Sequence, residues 1–268
     1  MKPLKYWKPE TFEVSSFISK LEARKNQTYK IAGSDKRKIC TYTFNELGFR
    51  GDDTSKNGFK IMSIGDSMTE GFGVEDYETW PAQFSKLIPN GVDFNLGTSG
   101  RSNDYIARCL MTYYDVVKPD LVLIMYTSPQ RRDIYTNENS IESYMPTMAR
   151  EYMKETEDGK KIHKLKTELQ NDNEDFINWY KNHLLIKYFL ESKGCNWLWN
   201  GWFNIPKEYN EFNRFDGMYG DFIDKGVDNF HPGPQHNYQY SKVLFNHIYN
   251  NFRSYLPNDA EPIKSILI

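Results

Sequence analysis

The sequence predicts an α/β protein in which a parallel sheet lies between two layers of helices, a three-layer α/β/α arrangement. Two observations support this prediction. Strand-like and helix-like segments alternate three times between residues 59 and 126, which is typical of a parallel sheet wrapped by helices. The last of these strands, DLVLIMY at 120–126, is apolar after its first residue, as expected of a strand covered on both faces.

The regular part of the pattern begins with FKIMSIG at 59–65, a strand that ends at a glycine. A helix over about 76–88 and a second strand, VDFNLG at 92–97, follow. The next helix spans 102–117, because apolar residues recur there at helical spacing and Pro119 ends the pattern. After the apolar strand, two further elements are predicted, a strand CNWLW at 195–199 and a closing helix at 236–256.

The remaining segments divide the chain. Residues 1–58 are predicted to be an N-terminal extension packed on the core, with a helix at 12–25 and a short strand followed by a turn at 38–51. Residues 59–268 form the main domain. A charged, mostly helix-like insertion at about 137–175 interrupts it and could cover the edge of the sheet as a cap.

Composition excludes several classes of function. The formal net charge is −2, so no basic surface for nucleic acid is expected. Three scattered cysteines without a CxxC motif predict neither a disulfide framework nor a zinc site, and the sequence calls for no metal or organic cofactor. No apolar stretch is long enough to span a membrane, and the N-terminus lacks the apolar core of a secretory signal. A cytoplasmic location is the default expectation, and association with a virion stays open.

The first candidate catalytic residue is Ser67, in GDSMTEG directly after the first regular strand. Sites of open parallel sheets form beyond the carboxyl ends of strands. A serine there can expose its hydroxyl beside backbone N–H groups that stabilise an oxyanion. Gly-Asp-Ser is also a good turn sequence, and Thr69 replaces the glycine of a G-x-S-x-G nucleophile elbow. Both interpretations of Ser67 therefore stay open at this point.

The second candidate is His231, in DNFHPG before the closing helix. Of the five histidines, it alone has an aspartate, Asp228, three residues earlier. An aspartate at this spacing in a tight turn can fix the tautomer of the imidazole, leaving the other ring nitrogen free to accept a proton from a serine. The alternative is a histidine that caps a loop.

Taken together, GDS after the first core strand and DxxH before the last helix resemble the SGNH (GDSL-type) hydrolase family. The resemblance covers residues 45–136 and 225–252, including NELGFRG at 45–51. It implies a flavodoxin-like central sheet, Ser67 as nucleophile and Asp228 with His231 as its base pair. It also implies that the backbone N–H groups of Ser67 and of Gly100, in NLGTSGRSN, form the oxyanion hole. His236 is expected to be a contact at the start of the last helix.

One motif of the family is missing. After its third strand the family usually has Gly-x-Asn-Asp, whose asparagine donates to the oxyanion, whereas this chain reads TSPQRRD at 127–133. Pro129 has no N–H to donate. Five residues are candidate replacement donors: Asn103, Thr127, Ser128, Gln130 and Arg131.

The resemblance implies a serine esterase that acts on a small acyl group, such as acetyl, carried by a carbohydrate or a small molecule. Arg131 and two tryptophans of NWLWNGWF, Trp199 and Trp202, are candidate substrate contacts, although the tryptophans equally suit a core. Two alternatives remain. One is a non-catalytic carbohydrate-binding or structural protein on the same fold, for instance in a phage particle. The other is an O-acetyltransferase with the same triad.

Overall fold

The computed structural model describes residues 23–32, 39–135, 141–144, 171–201, 213–215 and 222–263, and the single positions 160, 164, 168 and 203. The strands in these ranges are β1 (Thr28–Ala32), β2 (Ile39–Thr43), β3 (Arg50–Gly51), β4 (Phe59–Ile64), β5 (Gly91–Asn95), β6 (Leu121–Tyr126), β7 (Arg132–Tyr135), β8 (Ile141–Tyr144) and β9 (Asn196–Gly201). The helices are α1 (Ser67–Glu70), α2 (Trp80–Ser85), α3 (Asn103–Val117), α4 (Asp172–Ser192) and α5 (Pro234–Asn251).

Within the described ranges, the central sheet has five strands in the order β3-β5-β4-β6-β9. The strand β4 pairs in parallel with both β5 and β6, and β6 pairs in parallel with β9. Only the edge strand β3 is antiparallel to its neighbour, β5. When the parallel strands β4, β5, β6 and β9 are numbered 1 to 4 as they occur in the chain, their order across the sheet is 2-1-3-4. This order matches the beginning of the flavodoxin-like order. The predicted parallel, flavodoxin-like sheet is therefore confirmed.

Helices cover both faces of this sheet, because the apolar residues of its strands alternate between two cores. In β6, Val122, Ile124 and Tyr126 pack with side chains of α3 and α4. The alternate residues Leu121, Leu123 and Met125 pack on the opposite face with side chains of α2 and α5. This explains the continuous apolar run of β6 and confirms the three-layer architecture.

Two predicted helices have different bounds in the structure. The helix expected over 76–88 is divided into a short 3₁₀ turn, Asp76–Glu78, and α2. Thr79 separates them, because its hydroxyl caps α2 by accepting a hydrogen bond from the Ala82 N–H at 3.3 Å. The closing helix begins earlier than predicted, at Pro234, and ends at Asn251.

In the flanking segments, β2 confirms the short strand predicted before the turn at 38–51, whereas the sequence pattern did not indicate β1, β3, β7 or β8. The strand β1 pairs antiparallel with β2, and β3, which lies within the predicted N-terminal extension, forms the edge of the main sheet. In the predicted helical insertion, β8 is a strand rather than a helix, because it pairs with β7. Most of 137–170 and nearly all of the helix predicted at 12–25 lie outside the described residues.

Within the described ranges, no helix is both long enough and apolar enough to cross a bilayer. The three cysteines are free thiols, as expected from their spacing.

Candidate active site

The strand β4 delivers Ser67 to the carboxyl edge of the sheet, at the first position of α1. Asp66 is the N-cap of this short helix, and its Oδ1 accepts the Met68 N–H at 3.0 Å. Gly65 allows the turn to form, since a Cβ there would lie 2.8 Å from the Met125 carbonyl oxygen in the neighbouring strand. Ser67 therefore sits on a tight strand-to-helix turn whose geometry the flanking Gly and Asp determine.

The loop before α5 brings His231 to this serine. Nε2 of His231 lies 2.8 Å from Ser67 Oγ, and Nδ1 lies 2.5 Å from Asp228 Oδ2. The His231 and Asp228 side chains are 15% and 17% exposed, so the pair is shielded but reachable from solvent. The structure thus brings the three residues singled out in the sequence into one hydrogen-bonded chain with the spacing that a Ser-His-Asp triad requires.

Asp228 is held by its own loop. Its Oδ1 accepts the backbone N–H groups of Phe230 and His231, each at 3.2 Å. Burial alone would raise the pKa of Asp228, but the hydrogen bonds from the His231 ring and from these amides outweigh it and hold the pKa below its ordinary value. The carboxylate is therefore ionised at neutral pH, where it favours a proton on Nδ1 of His231.

Gly73 connects the serine loop to the histidine loop, and sequence reasoning missed it. Its carbonyl oxygen accepts the Val227 N–H at 2.8 Å, and its N–H donates to the Tyr42 hydroxyl at 2.6 Å. A Cβ at this position would lie 2.8 Å from Asp228 Oδ1, and its φ is +88°. The glycine pair of GFG at 71–73 was the available signal, because close approach of two loops often requires a residue without a side chain.

Two backbone N–H groups are available for an oxyanion. Within the described part of the chain, neither the Ser67 N–H nor the Gly100 N–H donates a hydrogen bond. Gly100 is exposed and has a φ of +77°, in the left-handed region that favours glycine. The loop before it is fixed to the serine turn, because the Thr98 N–H donates to the Gly65 carbonyl oxygen at 3.1 Å and the Ser99 N–H donates to Glu70 Oε2 at 2.7 Å.

Asn103 is not placed to donate to an oxyanion, and that expectation is corrected. Its Nδ2 donates to the carbonyl oxygens of Thr127 and Ser128, at 2.9 and 3.4 Å, and its Oδ1 accepts the Thr127 N–H at 3.0 Å. The asparagine is thereby used to fix the backbone that follows β6. The Thr127 hydroxyl is also engaged, since it donates to Asp66 Oδ2 at 2.8 Å.

Arg131 contacts the turn that carries Ser67. It is 7% exposed, and its Nη1 donates to Asp66 Oδ2 at 2.8 Å. The sequence predicts that Arg131 contacts an oxyanion or the substrate. The buried ion pair with Asp66 is a further, structural role for this side chain. Ser128 is half-buried, and its role as a third donor stays a prediction.

Trp199 is not a substrate contact. Its side chain is 1% exposed and packs in the core beneath α4, with its ring 4.7 Å from that of His183. Trp202 lies outside the described residues. His236 is at the start of α5, where its Nδ1 accepts the Ile223 N–H at 3.4 Å and burial lowers its pKa. Asp224 holds this helix start, because its Oδ1 accepts the His236 N–H at 2.8 Å.

Among the described residues, no set of three or more His, Cys, Asp or Glu side chains could hold a metal ion.

No family model matches the chain, and no curated protein matches its sequence. Solved structures do resemble it. One is a member of the lipolytic protein G-D-S-L family from Veillonella parvula, with 15% identity over 72% of this chain and 98% of the other, and a TM-score of 0.33. Another is a GDSL-like lipase from Bacteroides thetaiotaomicron, with 13% identity over 72% of this chain and 88% of the other, and a TM-score of 0.29. What the site can do chemically therefore follows from its own geometry.

Proposed function

We propose that this protein is a serine esterase that hydrolyses a carboxylic ester through an acyl-enzyme. The observation that carries the proposal is the hydrogen-bonded chain from Ser67 Oγ to His231 Nε2 and from His231 Nδ1 to Asp228 Oδ2, at 2.8 and 2.5 Å. A serine that only stabilised a turn would need neither a histidine at hydrogen-bond distance nor a carboxylate behind that histidine.

In the acylation step, Ser67 Oγ attacks the ester carbonyl carbon while His231 Nε2 takes the hydroxyl proton. The carbonyl oxygen becomes an oxyanion, and the N–H groups of Ser67 and Gly100 donate to it. Asp228 stabilises the resulting imidazolium. When the C–O bond to the alcohol breaks, His231 returns the proton to the departing oxygen, leaving the acyl group on Ser67.

Deacylation repeats these steps with water. His231 removes a proton from a water molecule, whose oxygen attacks the acyl carbon and forms a second oxyanion at the same donors. The bond to Ser67 Oγ then breaks, and His231 transfers its proton to the serine oxygen. The products are a carboxylic acid and the free enzyme.

The substrate class is proposed to be a small acyl group, such as acetyl, on a carbohydrate or another small molecule. One feature of the described site fits a substrate whose alcohol component is a ring. Phe230 is 63% exposed directly beside the base, with its ring 5.1 Å from that of His231. An exposed aromatic face can pack against the apolar side of a ring.

The test is hydrolysis of p-nitrophenyl acetate by the wild type, Ser67→Ala and Ser192→Ala. Ser192 is a matched control, because it is exposed at the end of α4 and donates only to the Phe189 carbonyl oxygen. We expect turnover in the wild type and in Ser192→Ala, and a loss of about 10³-fold or more in Ser67→Ala. A wild-type hydrolysis rate no higher than the background rate would refute the esterase proposal, and so would equal rates in all three proteins.

A further inference from the structure

We propose that Glu70 is a positioning residue that holds the Gly100 N–H in register with the nucleophile. This inference rests on the proposed esterase function and goes beyond it, because no motif of the sequence indicated a role for this glutamate. Glu70 ends α1, the one-turn helix that begins with Ser67. The carboxylate is thus built into the same short element as the serine.

The Glu70 side chain is tied directly to the residue that precedes Gly100. Oε2 accepts hydrogen bonds from both the N–H of Ser99, at 2.7 Å, and its hydroxyl. Oε1 pairs with Arg24 Nη1 at 3.3 Å. Glu70 is only 2% exposed, so this is a buried carboxylate whose strongest contacts go to one residue of the opposite loop.

Gly100 needs such a restraint because nothing packs against it. A Cβ built at this glycine would have no heavy atom within 4 Å apart from its chain neighbours, and its φ of +77° lies in the left-handed region that favours glycine. The residues before it are fixed more firmly. Gly97 lies so close to α1 that a Cβ there would be 2.3 Å from the Glu70 nitrogen. Among the described residues, the Glu70–Ser99 contact is the last hydrogen-bonded anchor before the exposed glycine.

We infer that the Glu70–Ser99 contact fixes the distance between the Ser67 N–H and the Gly100 N–H. The Ser67 N–H belongs to α1, and the Gly100 N–H follows the residue that α1 binds through Glu70. An oxyanion hole requires both donors within about 3 Å of one oxygen, and displacements of about 1 Å are costly to catalysis. A carboxylate suits this task because it is an acceptor only, and its Oε2 receives both Ser99 donors. A glutamine could keep both contacts by placing its amide oxygen at this position, so the test removes the side-chain acceptor by truncation to alanine.

The experiment compares Glu70→Ala with the wild type and with Glu78→Ala. Glu78 is a matched control, because its carboxylate also accepts a backbone N–H, that of Glu75 at 3.0 Å, but lies in the 3₁₀ turn after the active-site loop. With p-nitrophenyl acetate we expect kcat of Glu70→Ala to fall by about tenfold to a hundredfold while KM changes little, since only a transition-state contact is weakened. Glu78→Ala should keep the wild-type kcat.

A second measurement separates positioning from a general loss of structure. Phenylboronic acid forms a tetrahedral adduct with a nucleophilic serine, so its inhibition constant should rise in Glu70→Ala by about the same factor as kcat falls. Ser99→Ala keeps the backbone donor and should show a smaller loss. Combined with Glu70→Ala, it should add little, because both changes break one contact.

The outcomes distinguish this inference from the function on which it rests. An active wild type with equal kcat and equal boronate inhibition in Glu70→Ala overturns the inference alone. If Glu70→Ala does not fold, as judged by circular dichroism, Ser99→Ala decides, and an unchanged boronate inhibition constant there overturns the inference. A wild type that neither hydrolyses the ester nor binds the boronate overturns the esterase proposal and this inference together.

Discussion

Replacing Asp228 by asparagine tests whether His231 acts as the base. Oδ1 of Asp228 accepts two backbone N–H groups, from Phe230 and His231. In the variant, the amide oxygen should take this place, because an NH₂ group there would face two donors. The NH₂ group is then directed at His231 Nδ1, which must accept instead of donate. The ring proton moves to Nε2, the atom that lies 2.8 Å from Ser67 Oγ, and the lone pair that should take the serine proton is lost.

The expected cost follows from this change of tautomer. In a Ser-His-Asp site, the same substitution lowers kcat by about 10⁴ while leaving the geometry in place. Since each factor of ten is about 1.4 kcal/mol of activation free energy, the loss is about 5.5 kcal/mol. Folding should suffer less, because both backbone hydrogen bonds to Oδ1 remain and the charged bond to Nδ1 is replaced by a neutral one. We expect the unfolding free energy to fall by about 1 kcal/mol, the difference between a hydrogen bond to a charged group and a neutral one.

The assay is kcat for p-nitrophenyl acetate in Asp228→Asn, with urea unfolding of the same protein as the test of folding. Asp115→Asn is the control, because that aspartate is 73% exposed on α3, where it pairs with Lys193. A kcat within tenfold of wild type in a folded Asp228→Asn protein would refute the reasoning that Asp228 sets the tautomer.

Four further predictions concern the triad, the residues that contact it and a buried carboxylate of β5. Arg131→Met leaves the carboxylate of Asp66 buried without its cation and should lower the unfolding free energy by about 3–5 kcal/mol in urea titrations; a change below about 1 kcal/mol contradicts the role of the pair. Gly73→Ala should reduce kcat as well as stability, because its Cβ would lie 2.8 Å from Asp228 Oδ1; unchanged kinetics would show that the two loops can separate freely. Because the pKa of Asp228 is lower in the folded than in the unfolded protein, its ionised carboxylate stabilises the fold at a pH above its unfolded-state pKa. This stabilisation is lost as the pH falls through its folded-state pKa. The unfolding free energies of Asp228→Asn and wild type should therefore differ least in acid. Burial raises the pKa of Asp93 from 3.8 to about 8, so its ionisation costs stability as pH rises between these values; Asp93→Asn should therefore be more stable than wild type by a few kcal/mol at pH 9 and equal to it near pH 4, as each pKa unit is worth about 1.4 kcal/mol.

The parts of the fold that the sequence predicted correctly are those in which local pattern and burial agree. The strand β6 was predictable because both of its faces are covered, which leaves an unbroken apolar run. Ser67, Asp228 and His231 were predictable because each lies in a short motif next to a regular element. For Trp199 the local pattern was ambiguous, since a tryptophan-rich segment suits a binding wall as well as a core. Its burial is decided by α4, whose His183 packs on it.

Other features depend on contacts that no local motif encodes. The positioning role proposed for Glu70 depends on its hydrogen bond with Ser99, which lies 29 residues later in the chain. The missing asparagine after β6 made Arg131 one of five candidate replacement donors. Its pairing with Asp66 could not be inferred, since the two residues are 65 positions apart in the chain.

The hydrogen bond between Ser67 and His231 spans 164 residues of the chain, and this separation has a consequence for folding. Contacts of such long range form only after the entropy of closing a large loop has been overcome. The strands β4, β5 and β6 can pair before the C-terminal helix docks, but the serine has no base until that helix and its preceding loop are in place. Recovery of hydrolysis after dilution from urea should therefore lag behind recovery of the far-ultraviolet circular dichroism signal. Enzymatic turnover would then serve as a probe for the final stage of folding.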